Sequence, residues 1–148
     1  MGDSKVEVDK EILSAIPQRE PFLFVDRVVE RKENWIHTQK QLTGTEDFFQ
    51  GHFPGNPIMP GVLQCEAIFQ TGAVLMGGKK TTDNQVGVVT RVAGTKFKNF
   101  VKPGDLMDME VELIDQVANA FVMKGKIKVN NKLAMSTEFT CALVETPQ

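Results

Sequence analysis

Gly51-His52-Phe53-Pro54-Gly55-Asn56-Pro57-Ile58-Met59-Pro60-Gly61 and the run that follows, Val62-Leu63-Gln64-Cys65-Glu66-Ala67-Ile68-Phe69-Gln70-Thr71-Gly72-Ala73-Val74-Leu75-Met76, decide how this chain folds. The prolines at 54, 57 and 60 forbid a regular helix or a central strand in the first half. From Val62 to Met76 apolar residues lie on nearly every side of a helix, broken only by Gln64, Glu66, Gln70 and Thr71. A helix that is apolar all round is a buried one. No apolar run in the chain reaches the 18 residues a membrane span requires. The expected element is therefore a buried helix over 62–76 with a carboxylate, Glu66, inside an apolar cylinder.

Outward from this helix the chain reads as strands. Asp9–Ile16 suits a short helix, with Asp9 to cap it and Pro17 to end it. Phe22–Val29 and Trp35–Leu42 read as strands joined by a polar turn at Arg31–Asn34. Gly77–Asn84 stops the helix and forms a loop. Four strand-like stretches follow, roughly 86–99, 106–116, 118–129 and 132–143, with turns at Pro103-Gly104-Asp105 and Asn130-Asn131. The expected architecture is α+β: one domain over 1–148, with a long central helix wrapped by an antiparallel sheet of about six strands. The edges of such a sheet pair between subunits, so a homodimer is expected.

Composition narrows the function classes. With 41% hydrophobic and 24% charged residues the chain has material for a core, and its net charge of -2 argues against a nucleic-acid binder. The two cysteines, Cys65 and Cys141, have no metal-type spacing and form no disulfide framework. Met1-Gly2-Asp3-Ser4-Lys5 resembles neither a signal peptide nor, with Val6 at the sixth position, a myristoylation site. The cytoplasm is the expected compartment. The seven methionines fall mostly on apolar positions and read as core filler.

Of the two histidines, His37 lies among polar strand residues and is expected at the surface. His52 sits in the Pro/Gly loop that leads into the buried helix. With an ordinary pKa near ~6.5, imidazole can take and return a proton at neutral pH, though the residue type alone suits a structural loop position equally. A buried Glu66 would stay protonated and serve as a general acid; on composition alone it could also share an exposed stripe with Gln70, four residues on. The helix start supplies a third element, because the unpaired N–H groups at Gly61 carry the positive end of the helix dipole. Such donors can hold a thioester carbonyl oxygen as it gains negative charge. Base, acid and oxyanion donors within fifteen residues make an elimination site. Lys96, Lys98 and Lys102 form a basic patch that is either a solvated strand face or a landing place for an acidic carrier protein. Cys65 reads as core or pocket wall.

The segment from Gly51 to Ala67 resembles the active-site motif of FabZ-type (3R)-hydroxyacyl-acyl carrier protein dehydratases, which sets a histidine fourteen positions before a glutamate, as His52 and Glu66 stand here. Ile16–Val28 and Lys96–Asp105 resemble the family's first helix and strand and its later strand-and-turn segment. The resemblance implies a hot-dog fold and a dehydratase acting on a 3-hydroxyacyl chain carried by acyl carrier protein in fatty acid biosynthesis. It implies His52 as base, Glu66 as acid and Gly61 as donor to the thioester carbonyl. Phe53, Met59, Val62 and Phe69 become candidates for the acyl tunnel wall, and neither metal nor organic cofactor is used. It further implies a homodimer whose site takes the histidine from one subunit and the glutamate from the other, and a trimer of such dimers. Glu66, where a related dehydratase/isomerase branch has aspartate, favours the plain dehydratase. The chain departs from the family pattern at Val92–Lys96, in having no tyrosine, and at Gln18, where histidine is common. An acyl-thioester hydrolase and a non-catalytic acyl-binding protein are the alternatives on the same fold. Hydrolysis would have no need of a loop histidine.

Overall fold

The computed structural model describes residues 6–146, so the Met1–Lys5 segment lies outside the described residues. The elements in chain order are α1 (Lys10–Ala15), β1 (Arg27–Lys32), β2 (Trp35–Gln41), α2 (Phe48–Gly51), α3 (Gly61–Met76), β3 (Gln85–Phe97), β4 (Leu106–Val117), β5 (Ala120–Val129) and β6 (Lys132–Glu145), with a 3-10 turn over Gly77–Lys79. The six strands make one antiparallel sheet in the order β1-β2-β4-β5-β6-β3. α3 lies across one face of that sheet, against β2, β3, β4, β5 and β6. This is the hot-dog arrangement, helix within sheet. No helix of the described residues is long and apolar enough to cross a membrane.

The strands facing α3 alternate inward and outward side chains. On β4 and β5, Met107, Met109, Val111, Phe121, Met123 and Ile127 are buried, while Lys124 between them is exposed. Six methionines (Met59, Met76, Met107, Met109, Met123, Met135) are buried, so the core filler reading holds for the described residues. Gly125 on β5 has a specific reason. A Cβ there would sit 2.4 Å from Cγ2 of Ile68, which is fully buried on α3. The missing side chain is what lets the helix seat on the sheet.

α3 is enclosed on most of its circumference but not all. Ala67, Ile68, Gln70, Thr71, Gly72, Val74, Leu75 and Met76 are buried; Cys65, Glu66, Phe69 and Ala73 are half-buried, and Val62 is 76% exposed. Val62, Glu66, Phe69 and Ala73 recur at helical spacing, so they form one open stripe. Ala73 adjoins the edge strand β3 at Gly87. Glu66 therefore lies neither in a sealed core nor on a polar surface.

Four local expectations are corrected. Phe22–Asp26 is not strand: pairing with β2 begins at Arg27↔Gln39, and Leu23, Phe24, Val25 and Asp26 are buried as irregular chain. The turn is only Glu33-Asn34, since Arg31 and Lys32 still pair with Ile36 and Trp35. Asp9 occupies the N-cap position of α1, but its carboxylate accepts the N–H of Val28 (2.9 Å) and makes no cap bond. His37 is half-buried, with Nε2 2.8 Å from Oδ1 of Asp108 on the neighbouring β4. That bond, shared with Gln39, ties two strands together and occupies the ring.

Candidate active site

His52 closes the single-turn helix α2. Its N–H donates to the Phe48 carbonyl (3.1 Å) and its own carbonyl accepts from Ile58 (2.9 Å). Phe53 and Asn56 exchange backbone bonds of 3.2 and 2.9 Å, and Gly55 supplies the positive φ of +75° that this tight loop needs. The loop is fixed at its far end by Met59 N–H donating to the Val101 carbonyl at 2.7 Å. Within this frame the ring Nδ1 lies 3.1 Å from the Ile58 carbonyl oxygen. A carbonyl only accepts, so Nδ1 carries the proton and Nε2 is left with its lone pair. The Phe53 ring stacks on the imidazole at 4.2 Å and holds its plane. In the neutral ring Nε2 is thus the nitrogen free to accept a proton.

Glu66 stands at the second turn of α3. Its Oε2 accepts a hydrogen bond from Nε2 of Gln70 at 3.0 Å. Burial pushes its carboxyl above the usual carboxylate range, with the Gln70 bond pulling the other way. The thiols beside it are raised by burial too: Cys65 on the same helix, and Cys141 on β6, which is pushed up to about 12. Neither cysteine is a thiolate at neutral pH, which removes both as nucleophiles. Among the described residues no hydrogen bond within one protomer joins His52 to Glu66.

At the start of α3, Leu63 and Gln64 both donate to the Pro60 carbonyl (3.0 and 3.1 Å), whereas Gly61 and Val62 have no acceptor for their N–H groups among the described residues. A Cβ on Gly61 would lie 2.9 Å from the Phe97 ring. Phe97, 52% exposed at the end of β3, therefore walls the helix start. Sequence reasoning passed over this residue. The available signal was a glycine at the first helical position, where no turn demands one.

The remaining candidates divide. Phe53 and Val62 are exposed, Phe69 is half-buried with its ring 5.0 Å from that of Phe139, and Met59 is buried in the core. Lys96, Lys98 and Lys102 are exposed, Lys96 and Lys98 on either side of Phe97 in sequence, and none forms an ion pair among the described residues. Gln70, read only as a possible neighbour of Glu66 on an exposed stripe, is fully buried. Among the described residues no group of three or more His, Cys, Asp and Glu side chains is placed to hold a metal ion.

Comparison with known proteins places these features in context. A family model described as a FabA-like domain matches residues 16–138. A 3-hydroxyacyl-[acyl-carrier-protein] dehydratase FabZ of Caulobacter vibrioides is 44% identical over 155 aligned residues, covering 99% of this chain and 98% of the relative. The FabZ of Albidiferax ferrireducens is 43% identical, covering 89% and 91%. Among solved structures, a dehydratase heterocomplex, ApeI:P, from Xenorhabdus doucetiae superposes with a TM-score of 0.76 at 16% identity, over 93% of this chain and 91% of that one. A hypothetical thioesterase with coenzyme A from Streptococcus pneumoniae gives 0.62 at 12% identity, over 82% and 88%. The solved structures share the fold.

Proposed function

The chain belongs to the FabZ family of 3-hydroxyacyl-[acyl-carrier-protein] dehydratases, and from that membership we propose that it removes water from (3R)-hydroxyacyl chains on acyl carrier protein, giving trans-2-enoyl thioesters in fatty acid biosynthesis. The observation that carries the mechanism is the fixed tautomer of His52: its Nδ1 is spent on the Ile58 carbonyl, so Nε2 is the base. In this reading Nε2 takes a proton from the carbon next to the thioester carbonyl. The N–H of Gly61, at the positive end of α3, stabilises the enolate oxygen. Glu66, its carboxyl pushed above the usual carboxylate range by burial, gives its proton to the departing 3-hydroxyl, which leaves as water. The imidazolium then returns its proton to the carboxylate.

The site is completed by a second copy of the chain. β3 is an edge strand of 13 residues carrying the exposed Val88, Val89 and Val92, a long apolar edge that requires cover. It runs beside the open stripe of α3 that holds Glu66. A homodimer paired along β3 buries both and brings His52 of one protomer to Glu66 of the other. Three such dimers make the hexamer, each chain acting as one domain. Phe53, Val62 and Phe69 wall the acyl tunnel, with Met59 beneath them, and Lys96, Lys98 and Lys102 receive the acidic carrier at its mouth. A reaction on a carrier-bound substrate fits the cytoplasm as its compartment.

Hydration of a crotonyl thioester, followed by loss of enoyl absorbance, tests the proposal because the equilibrium favours the hydroxyacyl side. Activity in the wild type and its loss in His52→Ala and Glu66→Gln is the expected result. A folded wild type inert on short and long chains alike would refute it.

A further inference from the structure

The open stripe of α3 has a direction and a stop. Val62, 76% exposed, and the Phe97 ring against Gly61 mark its outer end at the helix start, and the exposed Lys96 and Lys98 adjoin Phe97 in sequence. In the proposed reaction the carrier sits at this end and the reacting carbons at Glu66. The acyl tail then runs on toward the helix C-terminus, past Phe69 and Ala73. Phe69, half-buried, is the first large side chain it meets on the stripe. A helical side chain leans back toward the N-terminus, so this ring tilts over the Glu66 turn. Its retreat into the protein is blocked by Phe139, the two ring centroids being 5.0 Å apart. Phe139 is buried on β6 and is itself wedged over Gly72, where a Cβ would stand 2.9 Å from its Cζ.

The next residue of the stripe is Ala73, and it faces Gly87 on the edge strand β3. A Cβ at Gly87 would be 4.0 Å from the Ala73 Cβ and 2.9 Å from Cε of the buried Met76. Neither position puts more than a methyl group into the stripe. Phe69 therefore separates the reacting end from unused width behind it. We propose that Phe69 is the end wall of the acyl site and restricts the protein to short 3-hydroxyacyl chains. This rests on the dehydratase reading. Helix geometry gives the length: Phe69 stands about 4.5 Å beyond Glu66 and Ala73 about 10.5 Å, while an extended chain advances about 1.2 Å per bond. With C3 beside Glu66, the tail meets Phe69 at about the seventh carbon, and without that ring it reaches Ala73 at about the twelfth.

Calorimetry of the full-length protein with S-alkyl pantetheine thioethers of increasing chain length reads the size of the site without turnover. Each methylene that enters apolar cover should tighten binding about fourfold. In wild type that gain should stop at about seven carbons, and in Phe69→Ala it should continue to about twelve. Hydration kinetics should follow. The ratio of kcat/KM for a dodecenoyl thioester to that for a crotonyl thioester is expected to rise at least about tenfold in Phe69→Ala, mainly through KM. Should that variant not fold, Phe69→Leu keeps the test, with a limit about one or two carbons longer than wild type. A wild type whose affinity keeps climbing to dodecyl, or a folded Phe69 variant whose limit stays put, overturns the proposal. Either result in an active enzyme leaves dehydration standing without the length limit. An inert wild type whose binding limit still moves with Phe69 would sink the dehydratase reading and leave the end wall standing.

Discussion

Replacing Gly125 with alanine drives a methyl group into α3. The new Cβ would stand 2.4 Å from Cγ2 of Ile68 and 3.3 Å from Cγ2 of Val111. Both neighbours are fully buried and β-branched, so neither can rotate aside cheaply. Overpacking of this kind costs about 1–3 kcal/mol. Ile68→Ala alone removes three methyl or methylene carbons from a fully buried site and costs about 2–5 kcal/mol, including the cavity. The double variant places the Gly125→Ala methyl in the space that Ile68 vacates. It should be more stable than the sum of the two by about 1–2 kcal/mol, a coupling within the range seen for residues in contact. Urea unfolding of the four proteins measures it. Activity is a second readout, because Ile68 lies two residues from Glu66: Gly125→Ala should lower kcat as the helix tilts, and Ile68→Ala in that background should restore part of it. Additive stabilities would refute the claim that this glycine exists to seat the helix.

Three further outcomes follow from other parts of the molecule. Lys40→Met strands the Asp26 carboxylate, 4% exposed, and should cost about 3–5 kcal/mol at neutral pH in urea unfolding, while Asp26→Leu with Lys40→Met recovers most of it. That loss should shrink in acid, because burial already raises Asp26 above the usual carboxylate range and a protonated Asp26 needs no cation. Glu66 is raised as well, so its protonated form favours the fold below the ordinary carboxylate range, and that contribution is lost as pH climbs through the raised native value. Thermal melts of Glu66→Gln should accordingly gain on wild type as pH rises, and a constant difference from acid to neutral pH would contradict this. Val88→Lys on the exposed edge of β3 should yield monomers by light scattering and abolish activity without unfolding the protomer.

How much of this was legible in the sequence follows the range of the forces involved. α3 was read as 62–76 and runs Gly61–Met76, because its apolar surround and the prolines before it are local signals. The strands from β4 onward were legible for the same reason, from alternation and turn residues. The segment Phe22–Asp26 was misread because its apolar, β-prone residues look like strand, while the partner for its backbone is the side chain of Gln70, on a helix far along the chain. Asp9 has the composition of a cap and instead bonds Val28, nineteen residues away. Gln70 itself was opaque, since a glutamine one turn after a glutamate reads identically on a wet face and in a buried frame. The sheet order, with β3 at the edge beside β6, is a long-range outcome that no local pattern encodes. His52, Glu66 and Gly61 were legible as types at a spacing; the Ile58 bond that fixes the base was not.

If His52 of one protomer and Glu66 of the other form one dehydration site, mixing two inactive variants restores activity. His52→Ala and Glu66→Gln are each expected to be inactive alone. Unfolded together in equal amounts and refolded, half of the dimers are mixed, and each mixed dimer holds one intact site of two. Enoyl thioester hydration should then return to about a quarter of the wild-type rate. A mixture that stays inactive although mass spectrometry finds mixed dimers, or a single variant that keeps full activity, would contradict the claim.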